Sequence, residues 1–60
     1  MDKIEYYKTY EIIFKVPNNE YIYKEQAWPS CNDDGELIWT LCEDNYTIIS
    51  NKYIIDYRKL

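Results

Sequence analysis

The run Tyr10-Glu11-Ile12-Ile13-Phe14-Lys15-Val16, closed by Pro17-Asn18-Asn19, constrains the fold more than any other part of the chain. Tyr10, Ile12, Phe14 and Val16 recur at every second residue, the period of a strand with one face buried. Pro17 ends the run, because proline lacks the N–H that a central ladder requires. Asn18-Asn19 suits a two-residue hairpin loop, since Asn tolerates positive φ. Glu20 to Trp28 is then expected to pair back, with Val16 opposite Tyr21, Phe14 opposite Tyr23 and Ile12 opposite Glu25. In that register Ile13 lies opposite Lys24 on the other face, and Glu11 sits diagonally within reach of Lys24.

The same period continues after the irregular stretch from Pro29 to Gly35. Glu36 to Cys42 reads as a third strand, with Leu37, Trp39 and Leu41 on one face. A turn near Asp44-Asn45 and another at Asn51-Lys52 lead through Tyr46, Ile48 and Ser50, then Tyr53, Ile55 and Tyr57. With two-residue loops these residues share the face of Leu37, Trp39 and Leu41 in a three-stranded meander. Ile38, Thr40, Cys42, Thr47, Ile49, Ile54, Asp56 and Arg58 form the opposite, mixed face, as an antiparallel sheet shows when that side is half exposed or meets another molecule. Tyr53, Ile54, Tyr57 and Leu60 also fit helical spacing, with Ser50 or Asn51 as cap, but the β-branched and aromatic density favours strand. The expectation is one mainly β domain spanning residues 1–60: a small antiparallel sheet of about five strands, hairpin plus meander, with a short C-terminal helix as the alternative. Phe14, Leu37, Trp39, Leu41, Ile48 and Ile55 are the expected core.

Size bears on how such a sheet is held. A 60-residue domain buries only ~60% of the surface its unfolded chain exposes, so it usually relies on a staple. Cys31 and Cys42 are the only two cysteines and there is no His. Two thiolates do not complete a structural zinc site, so no metal or cofactor is expected, and the two read as free buried thiols, with one disulfide between them as the alternative. A second copy of the chain is then the expected staple, and a homodimer is expected. Eight Tyr, two Trp and one Phe agree with this, because Tyr and Trp suit half-buried interfaces.

Charge and composition exclude several functions. A net charge of −4 disfavours direct nucleic-acid binding, which needs clustered Lys and Arg. No signal-peptide pattern occurs and no apolar run approaches the ~20 residues that cross a bilayer, so a cytoplasmic protein with no membrane contact is expected. In that setting the Asn45-Tyr46-Thr47 sequon reads as coincidence. Without His, and with no base patterned beside Ser30, Ser50 or either cysteine, the chain is not expected to be an enzyme. Asn32-Asp33-Asp34-Gly35-Glu36 resembles a fragment of a calcium loop but lacks the alternating twelve-residue ligand set, and reads as a solvated turn.

The segment from Gln26 to Asn51 contains no Lys or Arg, yet carries Asp33, Asp34, Glu36, Glu43 and Asp44. In the expected strand, Glu36 and Glu43-Asp44 stand ~20–25 Å apart at ~3.3 Å per residue. Trp28, Trp39 and Tyr46 lie between or beside them. Aromatic anchors rimmed by charge mark a binding surface, and Trp28, Asp33, Asp34, Glu36, Glu43, Asp44 and Tyr46 are the candidate partner-binding residues. The expected partner is a host protein with a basic surface, such as a nucleic-acid channel. In size, acidity, aromatic richness and β content, including those five acids, the chain resembles the small proteins with which bacteriophages block host enzymes or immune systems. Uracil-DNA glycosylase inhibitors and anti-CRISPRs are among them. The resemblance implies an anti-defence inhibitor that acts by stoichiometric binding in the host cytoplasm. The alternative is a structural or regulatory subunit of a larger assembly.

Overall fold

The structure, a computed structural model, describes residues 4–60. It contains five strands: β1 (Tyr10–Phe14), β2 (Tyr23–Cys31), β3 (Leu37–Leu41), β4 (Ile48–Ser50) and β5 (Ile54–Lys59). A single 3-10 turn, Asn51–Tyr53, joins β4 to β5. All pairings are antiparallel and the order across the sheet is β4-β3-β2-β1-β5. The C-terminal segment is therefore strand, and Ser50 caps only the short turn before it, its hydroxyl accepting from the Lys52 N–H at 3.5 Å.

The first hairpin has the register expected from its alternation. Ile12 pairs with Glu25, Ile13 with Lys24 and Phe14 with Tyr23, and Lys24 Nζ stands 4.0 Å from Glu11 Oε1. The ladder stops at Phe14 and Tyr23, so residues 15–22 form a wider loop than the two residues expected. Asn18 holds φ 63°, while the Asn19 carboxamide accepts from Tyr21 N–H at 2.9 Å and donates to the Tyr23 hydroxyl at 2.8 Å. The second strand runs through Pro29 to Cys31 instead of breaking at Trp28. Gln26 accepts from Cys42 N–H and Asn32 donates to Glu36 C=O, so even-numbered residues of β2 carry its hydrogen bonds to β3. The Pro29 nitrogen therefore points away from β3, and on that other side β1 has already ended at Tyr10, opposite Ala27. No ladder bond is lost, which is the edge condition under which a sheet accepts proline.

The C-terminal half departs from the expected meander. β5 does not return along β4 but pairs with β1, Tyr10 opposite Lys59 and Ile12 opposite Tyr57. In a flat sheet β4 and β5 would lie ~19 Å apart across four strand spacings, and three residues of 3-10 turn span only ~6 Å. The sheet must therefore curl on itself. The Trp39 and Tyr57 rings confirm it at 5.8 Å between centroids, where flat strands β3 and β5 would be ~14 Å apart. The result is a small, partly closed barrel, as broad as it is deep at 29 × 27 × 26 Å.

Curling gives the barrel one inner face, and it holds the core. Tyr10, Ile12, Phe14, Ala27, Trp39, Leu41 and Ile49 are buried, with Ile4, Val16, Leu37, Tyr53 and Ile54 packed against them. The Tyr10 ring meets Trp39 edge-on at 5.4 Å and Tyr57 at 5.8 Å, and Phe14 stacks on Tyr23 at 5.3 Å. The polar tips are satisfied: Trp39 Nε1–H donates to Asn51 Oδ1 at 2.9 Å, and the Tyr10 hydroxyl accepts from Glu5 N–H at 3.0 Å.

Two expected core residues are not in it, Ile48 and Ile55, each 58% exposed. Ile48 lies opposite Thr40 and Ile49 opposite Trp39, so β4 is one residue out of the expected phase, and a one-residue shift turns every side chain over. Ile55 is the extra residue of a bulge: Phe14 pairs with Ile54 and Ile13 with Asp56. The bulge lets Ile54 and Tyr57 both point inward although three positions separate them. Ile49 and Ile54, expected on the outer face, thus belong to the interior.

Candidate functional site

The outer face of β2, β3 and β4 is where the candidate residues gather around an apolar surface. Trp28 on β2 pairs with Thr40 on β3, which pairs with Ile48 on β4. The next row is Ser30, Ile38 and Ser50. Cross-strand partners bring Cβ atoms to ~5 Å of one another, so Trp28, Thr40, Ile48 and Ile38 form one continuous patch. Trp28 is 40% exposed, and its Nε1–H donates to Thr9 Oγ1 at 3.2 Å, which fixes the indole on the surface. Trp39, by contrast, is fully buried and serves the core. Ile48 was legible only as a strand residue, because the doublet Ile48-Ile49 does not tell by sequence which of the two faces out.

The acidic candidates lie at the two ends of this patch and are not brought together. Asp33, Asp34 and Glu36 occupy the β2–β3 loop, all exposed. That loop is built by Asn32, whose side-chain oxygen accepts from the Asp34 and Glu36 N–H groups at 2.9 Å each, while Gly35, at φ +80°, donates to Asn32 C=O. Glu43, Asp44 and Tyr46 occupy the β3–β4 loop, with Tyr46 83% exposed. Here Asp44 organises the turn: Oδ1 accepts from the Tyr46 and Thr47 N–H groups at 2.9 and 3.0 Å, and Oδ2 from the Thr47 hydroxyl at 2.6 Å. These bonds, that from the Thr47 hydroxyl foremost, hold the Asp44 carboxyl below its usual range. Asp44 is thus a turn builder first, and Glu43 is the freer charge of its loop.

The ion pairs of the described residues lie elsewhere. Glu11 meets Arg58 at 2.9 Å and Lys24 at 4.0 Å, and Glu5 meets Lys59. All of them belong to β1, β2, β5 and the segment before β1. Asp33, Asp34, Glu36, Glu43 and Asp44 form none among the described residues. The fold does bring Lys24 toward the β3–β4 loop, where Glu11, Lys24, Glu25, Gln26, Cys42 and Glu43 line an open trough of ≈ 450 Å³. A sheet of this size thus offers more concavity than its length suggests, though the trough is open and its walls are mostly charged.

The cysteines are far apart and, against expectation, not buried: Cys31 is exposed and Cys42 half-buried. Cys31 lies opposite Leu37, and Cys42 follows β3 five residues later, next to Gln26. That is ~16 Å along the ladder, beyond the ~7 Å between Cα atoms that a disulfide bridges. Burial pushes the Cys42 thiol up, the opposite of the shift that makes a nucleophile. Among the described residues no three metal-binding side chains cluster, and no helix is long and apolar enough to cross a membrane. No family model matches the chain, and no curated protein or solved structure is significantly similar to it.

Proposed function

We propose that this chain is a protein-binding inhibitor that acts stoichiometrically through the outer face of β2–β4, covering a basic surface of a host protein. This is the manner in which phage-encoded proteins block host enzymes or defence systems. The observation that carries the reading is the pairing of an exposed apolar patch with acidic loops that form no ion pair among the described residues. Trp28, Ile38 and Ile48 form the patch; Asp33, Asp34, Glu36 and Glu43 frame it. A desolvated apolar centre supplies most binding energy, and a one-signed rim steers a complementary partner onto it. The same rim repels nucleic acid directly. Catalysis has little to recommend it, with no His in the chain and a partly buried Cys42 thiol whose pKa burial raises.

A second copy fits this particular face poorly. A two-fold axis along or across the strands sets acidic loop against acidic loop, and the segment from Gln26 to Asn51 carries no Lys or Arg of its own. A homodimer, if it serves as the staple for so small a domain, would use another surface, such as Tyr21 and Ile22, which are well exposed in the β1–β2 loop. Those same residues favour the second reading, a subunit of an assembly, since exposed apolar side chains on more than one side suit a chain embedded among partners. The two readings separate in isolation: an inhibitor stays soluble alone, whereas an obligate subunit aggregates.

Affinity capture from native host lysate, run in parallel with the parent chain, Trp28→Ala and Ile48→Asp, tests the proposal. A protein retained in near-equal amount by the parent and lost from both variants supports it. Equal retention by all three overturns it.

A further inference from the structure

We propose that the occupant of the outer face is a basic amphipathic helix of the partner, an inference that rests on reading that face as the binding surface. Dimensions carry the first part of the argument. Strands β2, β3 and β4 cover two strand spacings, ~10 Å, which is the width of one α-helix at ~10–12 Å. The acidic loops stand ~20–25 Å apart along β3, the length of a helix of ~15 residues at ~1.5 Å per residue. Within the described residues the chain has no α-helix to lay there, its one helical element being the 3-10 turn. A helix on a sheet is a standard way of burying an apolar sheet face.

Charge sets the rest of the pattern. The patch itself is uncharged: Trp28, Ser30, Ile38, Thr40, Ile48 and Ser50. Its two ends are acidic, Asp33, Asp34 and Glu36 at one and Glu43 at the other. The complementary helix has an apolar stripe at i, i+3, i+4 and i+7 in its middle and Lys or Arg at both termini. A segment basic at one end only would satisfy one loop and leave the other acidic group facing uncharged surface. Edge addition by an extended peptide is the weaker rival, because β4 is three residues long and β5 is bulged and ends in Arg58 and Lys59. Short, bulged and charged edges resist strand addition.

A synthetic helical peptide of ~15 residues, with a Leu stripe and two Arg at each end, is the probe. Trp28 emission reports binding, and Trp39, fully buried, gives the internal baseline; a Trp28→Phe variant identifies the responding ring. The expected result is saturable one-to-one binding at low salt that weakens as salt rises. Ile48→Asp should weaken it about tenfold or more. Charge reversal of Asp33, Asp34 and Glu36 together, or of Glu43 alone, should each weaken it independently. Circular dichroism confirms folding first, and the loop variants stand in for Ile48→Asp should that one not fold. Binding of a stripe-scrambled peptide as tight as the probe overturns the inference, as does insensitivity to both Ile48→Asp and the loop reversals. A mass above 7.4 kDa that Ile48→Asp returns to monomer would assign the face to a second copy, which also overturns it. Failure of the peptide beside face-dependent capture from lysate removes the helix and leaves the binding surface standing; face-independent capture removes both.

Discussion

Ile48 and Ile49 are neighbours of the same type on the same short strand, and they have opposite fates. Ile49 is 8% exposed and packs in the core; Ile48 is 58% exposed and lies beside Thr40 on the outside. The inner face of the curled sheet is closed on itself, because β5 crosses to β1 and brings Tyr57 onto Tyr10 and Trp39. Among the described residues the outer face has no such closure over β2–β4. The comparison teaches that stability and recognition are divided by parity: odd-numbered residues of β2, β3 and β4 face the core, even-numbered residues face outward, and one residue of slippage would exchange the two roles.

The largest expected effects come from breaking the inner face. Trp39→Ala, at the centre of the aromatic cluster, should cost ~3–5 kcal/mol, and Leu41→Ala or Ile49→Ala ~2–5 kcal/mol. A single core in a domain this small rarely supplies more than ~3–5 kcal/mol, so these variants should be largely unfolded in thermal melts followed by circular dichroism. Ile48→Ala should stay within ~0.5 kcal/mol of the parent, as surface changes do. If Ile48→Ala melts far below Ile49→Ala, the parity of β4 is reversed and the division between the faces is wrong.

An intermediate effect is expected where the inner face borrows a polar group from outside it. Trp39 Nε1–H is satisfied by Asn51 Oδ1 at 2.9 Å, and Asn51 opens the 3-10 turn that carries the chain across the barrel. Asn51→Ala leaves a donor on a fully buried ring without that acceptor, at a cost of ~1–3 kcal/mol. Asn51→Asp keeps an acceptor there and should recover most of the loss. Chemical denaturation of the two variants measures the difference, and equal destabilisation by both would show that the turn, not the hydrogen bond, is what Asn51 supplies.

How far the sequence reveals this division depends on which residues mark the phase. In the first hairpin, Glu11, Lys15 and Lys24 alternate with Tyr10, Ile12, Phe14 and Tyr23, so charge and apolarity fix the register together. In the C-terminal half, Ile48-Ile49 and Ile54-Ile55 are apolar doublets, and period-two reasoning has no means of choosing between their members. The choice is made by the 3-10 turn at Asn51–Tyr53 and by the bulge at Ile55, both of which answer to closure of the barrel and not to local pattern. The same holds for the pairing of β5 with β1, which joins residues 40 or more positions apart. The acidic loops were legible from the absence of Lys and Arg between Gln26 and Asn51. Their separation to opposite ends of an apolar patch followed from β3, whereas the patch itself emerged only once Ile48 was seen to face out.

The smallest effect expected sharpens the comparison at the rim, where one acidic residue is structural and its neighbour is not. Asp44 accepts three hydrogen bonds from Tyr46 and Thr47, and they lower its pKa in the folded state. A carboxyl whose folded value lies below its unfolded one contributes stability that is fully present above the unfolded value. That contribution is lost as pH falls through the folded one. The melting temperature should therefore decline on acidification through and below the usual carboxylate range, and part of that decline should disappear in Asp44→Asn. Glu43, which makes none of these turn bonds, offers the control: Glu43→Gln should leave the Asp44 share of the acid slope in place. Melting temperatures of the parent and both variants across the acid range decide the matter. An Asp44→Asn protein with the full acid slope of the parent would show that the turn does not depend on the ionised carboxylate, and that Asp44 belongs with Glu43 as a charge of the binding rim alone.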